Sequence, residues 1–257
     1  MKEKFDDSQG SGSGIKSVLL IGQSNMAGRG DFGEVPEISH SRCLMMRNGR
    51  WIKMSEPVNP DRAIFNAVFH SGIGLSASFA EAMAEANPGI KVGLIPCADG
   101  GTSLDDWAPG GLLYDNAVFQ VRQAKRTSEV SAILWHQGET DSVTEEGANA
   151  YRGRIADFFD HLRRDAGLEG VPLVVGELGR FLDGYKDGHC RFWRIVNQAL
   201  HDYADSDPLV AIASSEGLGS RPDSLHFNSA AQREFGRRYF AALKTIGGMT
   251  RTAIEHQ

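Results

Sequence analysis

Three kinds of residue in this chain could together perform acyl transfer. They are a hydroxyl at a strand end, an imidazole with a carboxylate three residues before it, and loops of glycine or amide side chains. The hydroxyl is Ser24, which follows the apolar run Val18-Leu19-Leu20-Ile21 and the break Gly22-Gln23. Four apolar residues in a row read as a strand buried on both faces. In open α/β sheets, ligands bind at the carboxyl ends of strands, so Ser24 is placed where chemistry is usually done. An ordinary alternative is that Ser24 only caps the short helix suggested by Asn25-Met26-Ala27. The candidate base is His226, one of eight histidines, in the loop Pro222-Asp223-Ser224-Leu225-His226. In a non-helical loop this spacing lets Asp223 fold back onto the imidazole, fix its tautomer and stabilise the imidazolium. His136, with Glu139 three residues on, is a rival pair, or a structural histidine bonded to loop backbone. Gly100-Gly101 and Gln137 each follow an apolar run and offer hydrogen-bond donors of the kind an oxyanion needs. Trp107, in a loop, is a candidate wall against a sugar face, whereas Trp135, still within its strand, belongs to the core. Arg29 is close enough in sequence to reach the site, but reads better as an exposed arginine.

The elements that must position these groups alternate regularly. Strands are predicted near 18–21, 90–96, 130–135, 171–175 and 209–213. Helices are predicted at 76–87, 112–125, 144–165, 191–203 and 229–244. In the third of these, Phe158, Phe159 and Leu162 follow Ile155 at helical spacing, and Glu145-Glu146 opens it with acidic residues. Residues 28–71 are largely irregular, with a small β-hairpin insertion predicted where 42–47 and 50–54 flank Asn48-Gly49, a dipeptide suited to a type I′ turn. Loops this long tend to be functional. Strands alternating with helices give an α/β fold: a doubly wound, mainly parallel sheet with helices on both faces. Ser24, Gly100-Gly101 and Gln137 then share one sheet edge. No internal repeat or domain boundary is visible, so residues 15–246 form one domain, between a Gly/Ser-rich leader at 1–14 and a tail at 247–257.

Composition narrows the partners. The 257 residues are 41% hydrophobic and 23% charged, with a formal net charge of −6. An acidic chain without a basic run argues against nucleic acid and against an anionic membrane surface. No apolar run approaches the ~20 residues of a membrane span. The three cysteines, Cys43, Cys97 and Cys190, are far apart and form no CxxC pair, so neither a zinc site nor a disulfide framework is indicated. A reducing compartment fits free thiols best. The first residues lack the apolar core of a signal peptide. A native start at Met1 would imply a cytoplasmic protein, and a removed signal a secreted one.

Gly22-Gln23-Ser24-Asn25-Met26, Gly100-Gly101-Thr102-Ser103 with Trp107, Trp135-His136-Gln137-Gly138-Glu139, and Asp223-x-x-His226 occur in this order. Together they resemble the SGNH-hydrolase superfamily, in its sialate O-acetylesterase and carbohydrate esterase family 6 (acetylxylan esterase) branch, over about 17–240. The resemblance implies a flavodoxin-like three-layer sandwich and a serine esterase without metal or organic cofactor. Ser24 would be the nucleophile, His226 the base and Asp223 its orienting acid. The Ser24 N–H, an N–H of Gly100 or Gly101, and the side-chain amide of Gln137 would hold the oxyanion. Gln137 stands where the wider superfamily has asparagine. Trp107, Asn25 and Glu139 would touch substrate, and Glu139 could share the acid's role. The implied reaction is hydrolysis of an O-acetyl ester on a carbohydrate such as acetylated xylan. Two alternatives are an aryl or lipid esterase or thioesterase on the same fold, and a non-catalytic carbohydrate-binding protein with a relic triad.

Overall fold

The apolar run at 18–21 forms the middle of the sheet. In a computed structural model, which describes residues 14–60 and 70–254 (side chains to Ile246), β1 (Ile15–Gly22) lies hydrogen-bonded on both sides. The short α1 (Ser24–Ala27) follows, then β2 (Cys43–Arg47), β3 (Arg50–Lys53), α2 (Leu75–Ala86), β4 (Lys91–Pro96) and α3 (Leu112–Ala124). The chain continues through β5 (Glu129–His136), α4 (Glu145–Ala166), β6 (Leu173–Gly176), α5 (Trp193–Ser206), β7 (Val210–Ala213) and α6 (Ser229–Ile254).

The described strands form one sheet in the order β3-β2-β4-β1-β5-β6-β7, parallel throughout except for the β2–β3 pair. The α/β doubly wound architecture expected from the alternation is therefore present. The hairpin around Asn48-Gly49 is also present, but it is more than an insertion. β2 pairs in parallel with β4, so the hairpin is the antiparallel edge of the main sheet. Asn48 and Gly49 both take positive φ, 49° and 72°, as the tight turn requires.

Alternate residues of β1 serve opposite faces. Leu19 and Ile21 pack with Ile133, Trp135 and Val175 under α3, α4 and α5. Val18 and Leu20 pack with Leu94, Leu134 and Val174 under α2 and α6. Two buried faces explain the unbroken apolar run, since a strand with one solvated face would alternate. The Ile155, Phe158, Phe159 and Leu162 stripe of α4 is buried as its spacing predicts. Thr144 caps that helix by accepting from the Gly147 N–H, and left-handed Gly167 ends it. α6 runs past its expected end at 244 to Ile254; the pair Gly247-Gly248 lowers helix propensity without forbidding the helix. The expected leader at 1–14, apart from Gly14, and residues 61–69 lie outside the described residues. Among the described residues no helix is long and apolar enough to cross a membrane. Cys43, Cys97 and Cys190 are free and buried, and burial pushes the Cys97 thiol up to about 12.

Candidate active site

β1 leaves the sheet beside β5 through a contact only glycine permits. Gly22 has φ 129°, and a Cβ there would lie 2.1 Å from the His136 carbonyl oxygen. The Gln23 N–H then donates to that carbonyl at 2.8 Å, and the chain turns into α1. Ser24 is the first residue of this helix, so its N–H has no intrahelical acceptor. The residue is only 6% exposed, with its hydroxyl at the cleft.

The loop between β7 and α6 brings His226 to that hydroxyl. A turn closes when the Ser224 N–H donates to Arg221 O at 3.1 Å, with Ser224 in the left-handed region at φ 52°. Asp223 Oδ1 accepts from the N–H groups of Leu225 (2.9 Å) and His226 (3.0 Å). Its Oδ2 lies 2.7 Å from His226 Nδ1, and His226 Nε2 lies 3.1 Å from Ser24 Oγ. The three side chains thus form one hydrogen-bonded line. Burial pushes the Asp223 carboxyl up, but the two N–H groups and the imidazole outweigh it and hold the pKa below the ordinary range. Burial also lowers the His226 pKa, and Asp223 opposes this only in part. At neutral pH the imidazole is therefore a free base facing a hydroxyl.

Ser24, His226 and Asp223 open onto a cleft of about 460 Å³. Gly101, exposed and with φ 77°, lines it, whereas Gly100 is buried behind. Glu139 lines it from the loop after β5. Gln23, Arg29, Tyr185, Lys186 and His189 also line the wall; of these, the sequence pointed only to Arg29, and then as the weaker reading. Arg29 is only 9% exposed, not the surface arginine expected. The Tyr185–His189 segment follows β6, and Lys186, Asp187 and Gly188 all have positive φ. Its Asp187-Gly188 dipeptide signals a turn and nothing more specific.

Several expected contacts are corrected. Gln137 is fully buried and does not reach the cleft. Its Nε2 donates to Thr102 O (2.9 Å) and Asp141 Oδ2 (2.6 Å), and its Oε1 accepts from Tyr151 Oη (3.0 Å). Both amide protons are engaged, which leaves none for an oxyanion. Trp107 is also fully buried, not a sugar platform. Its Nε1 donates to Thr102 Oγ1 at 3.1 Å, and its ring packs edge-on against Trp135 at 5.6 Å. Asn25 is 1% exposed and bonded within the protein through both ends of its amide, so it does not offer a substrate contact. The rival base His136 is sealed at 0% exposure between Phe227 and Phe235, with Nδ1 at 3.1 Å from Tyr239 Oη. Glu139 faces His136 Nε2 at 3.4 Å and not His226.

A mostly parallel sheet with helices on both faces, carrying this cleft at its carboxyl edge, is an α/β fold of the SGNH-hydrolase type. Residues 15–245 match the family described as carbohydrate esterase, sialic acid-specific acetylesterase. The chain belongs to this family, and is accordingly a carbohydrate esterase, a hydrolase of acetylated carbohydrate. It is 26% identical over 239 residues to the probable carbohydrate esterase At4g34215 of Arabidopsis thaliana, covering 85% of this chain and 86% of that one. The solved structure of that Arabidopsis protein superposes with a TM-score of 0.79 at 25% identity, covering 91% of this chain and 99% of the other. NanS shares the fold with a TM-score of 0.70 at 15% identity, over 93% of this chain and 98% of its own. So does the carbohydrate acetylesterase XAC1771 of Xanthomonas citri, with 0.62 at 19% identity, over 90% of this chain and 56% of its own.

Proposed function

We propose that the chain removes O-acetyl groups from a carbohydrate through an acetyl-enzyme on Ser24. The observation that carries this reading is the unbroken line from Asp223 through His226 to Ser24 Oγ, with steps of 2.7 and 3.1 Å. Ser24 Oγ attacks the acetyl carbonyl carbon while His226 Nε2 takes its proton. Asp223 holds Nδ1–H and stabilises the imidazolium that forms. The backbone N–H groups of Ser24 and Gly101 are the donors nearest to hand for the oxyanion. The tetrahedral intermediate collapses, the C–O bond to the sugar breaks, and His226 returns its proton to the departing sugar oxygen. Water, deprotonated by His226, then attacks the acetyl carbonyl, and acetate leaves as Ser24 regains its proton.

The character of the cleft supports a sugar over a long acyl chain. Arg29, Glu139, Thr140, Lys186 and His189 set charged and polar groups around the triad, among apolar surface to which Val143 and Leu225 contribute. Tyr185 offers a ring on which a sugar face can rest. A complete hydrogen-bonded triad speaks against a relic.

The test is acetate release from acetylated xylan, acetylated mannan and O-acetyl sialic acid in parallel, alongside p-nitrophenyl esters of increasing chain length. Release from at least one of the three, and a steep fall from acetyl to butyryl esters, is expected. A flat chain-length profile with no acetate from any carbohydrate would reject the reading in favour of an aryl or lipid esterase.

A further inference from the structure

Tyr185, Lys186 and His189 line the cleft and take no part in the proton transfers, yet the backbone that carries them is held in an unfavourable conformation. Lys186, Asp187 and Gly188 have φ of 40°, 55° and 83°, three left-handed residues in succession. Glycine adopts this region freely and aspartate tolerates it, but a lysine there is uncommon and costs stability. The turn is nonetheless firmly tied. The N–H groups of Gly188 and His189 both donate to Tyr185 O at 2.9 Å. Just before it, Asp183 accepts from Trp193 Nε1 at 3.0 Å and from the Arg194 guanidinium at 2.9 and 2.6 Å, which fixes the segment to α5. The three side chains form one unit. Lys186 Nζ lies 5.2 Å from the centre of the Tyr185 ring, and the His189 ring meets that ring edge-on at 5.9 Å. Tyr185 rests on the core beneath, while Lys186 and His189 are exposed.

We infer that Tyr185 and Lys186 form the wall that selects the sugar half of the ester, and that the left-handed turn is retained in order to present them. A pyranose ring has an apolar C–H face and a rim of oxygens. The Tyr185 ring suits the face, and the Lys186 ammonium brings three donors for hydroxyl or carboxylate oxygens on the rim. Both groups sit on a backbone that is already ordered, so little freedom is lost when the sugar binds. Contacts made to the leaving group discriminate between alcohols and leave the chemistry at the acetyl carbonyl unchanged. The inference rests on carbohydrate deacetylation as proposed above, and the experiment separates the two.

The test compares two kinds of substrate, with melting curves on each preparation. One is whichever of acetylated xylan, acetylated mannan and O-acetyl sialic acid the wild type cleaves best. The other is vinyl acetate, whose activated two-carbon leaving group is too small to lie on the wall. Tyr185→Ala is expected to lower kcat/KM on the carbohydrate by roughly 10–100-fold and Lys186→Ala by about 10-fold, both with vinyl acetate within about twofold of wild type. Tyr185→Phe keeps the ring and should stay within about threefold on both substrates. Lys186→Gly should lose as much carbohydrate activity as Lys186→Ala but melt at or above wild type, because glycine fits the left-handed backbone. That variant keeps the test decisive if Tyr185→Ala does not fold. Wild-type carbohydrate activity in a folded Tyr185→Ala, in Lys186→Ala or in Lys186→Gly would overturn the wall. So would an equal loss on vinyl acetate, which is what a purely structural turn gives. If the wild type cleaves vinyl acetate but releases no acetate from any carbohydrate, the deacetylation reading falls and the wall with it. Acetate release that the variants leave unchanged removes the wall alone.

Discussion

Asn25 Nδ2 lies 2.6 Å from Glu139 Oε1, and this buried bond ties the nucleophile's helix to the loop after β5. The same Nδ2 donates to Leu225 O at 3.2 Å, and Asn25 Oδ1 accepts the Phe227 N–H at 3.1 Å. Asn25 therefore grips the chain on both sides of His226 while sitting next to Ser24. Behind it, Tyr239 donates its one hydroxyl proton to Trp135 O at 2.8 Å. It must then accept from His136 Nδ1–H, which leaves His136 Nε2 facing Glu139. Base and nucleophile are held in register by one amide, whose NH₂ end the Glu139 carboxylate accepts.

Asn25→Ala should accordingly loosen His226 without touching substrate. We expect kcat to fall by roughly 10²-fold, the order seen when a catalytic group is displaced by about 1 Å, with KM little changed. Asn25→Asp keeps the acceptor for Phe227 but sets a carboxylate against Glu139, so it should not restore activity. Steady-state kinetics that show a rise in KM at constant kcat would return Asn25 to the role of a substrate contact.

Removal of either reacting partner should cost about the same, because a triad works as a unit. Ser24→Ala and His226→Ala are each expected to lose on the order of 10⁴-fold or more in kcat while melting near wild type. Asp223→Asn should lose up to roughly 10⁴-fold through the wrong imidazole tautomer. Glu139→Gln should lose clearly less, since Glu139 reaches His226 only through Asn25 and through space. The reverse ranking of the last two would make Glu139 the acid.

The pH profile offers a test with two opposite signs. His226 must be neutral to take the Ser24 proton, and burial lowers its pKa from an ordinary value near 6.5. The acid limb of kcat/KM is therefore expected below pH 6.5. Arg29 contributes to the lowering and Glu139 opposes it. Arg29→Met should shift the limb upward, because the imidazolium loses a repelling cation. Glu139→Gln should shift it downward, because the imidazolium loses an attracting anion. Equal shifts of the same sign would show that neither charge is felt at His226.

Which parts were legible in the sequence follows from what each residue does locally. Ser24 could be read because a doubly buried strand leaves an apolar run, and the break after it marks a strand end. Asp223 and His226 could be read because their bond spans only three residues of one loop. Gln137 was correctly placed at the sheet edge, but the direction of its amide depends on Thr102, Asp141 and Tyr151, partners from three separate segments. Trp107 sits beside Asp105 and Asp106, as a loop residue would, yet its ring packs against Phe158 of α4 at 6.1 Å. Arg29 and the Tyr185–His189 segment reach the cleft through loop conformation alone, which no periodicity records. The edge role of the hairpin depended on which strand β2 would pair with, a long-range choice between β4 and solvent.

Gln137 supplies the last prediction, and it is one of stability. The side chain follows the end of β5 and crosses to the Thr102 carbonyl of the loop that bears Gly101, to Asp141 and to Tyr151. Gln137→Ala leaves the Thr102 carbonyl and the Asp141 carboxylate each one donor short in a buried setting, at roughly 1–3 kcal/mol apiece. A total near 3 kcal/mol corresponds to a fall in Tm of about 6–12 °C for a chain of this size. Activity below the transition should drop far less than in Ser24→Ala, since the Gly101 loop is loosened and no reacting group is removed. The loss should also depend on pH. Burial raises the Asp141 pKa, and the Gln137 amide is the first of the groups that oppose this. A carboxyl whose folded pKa is raised binds its proton more tightly in the native state, so its contribution to stability falls as pH rises above the ordinary carboxylate range. Without Gln137 that gap widens, and the Tm difference from wild type should be larger at pH 7 than near pH 5. A Gln137→Ala protein with wild-type Tm at both pH values and kcat reduced by 10²-fold or more would instead make Gln137 the oxyanion donor.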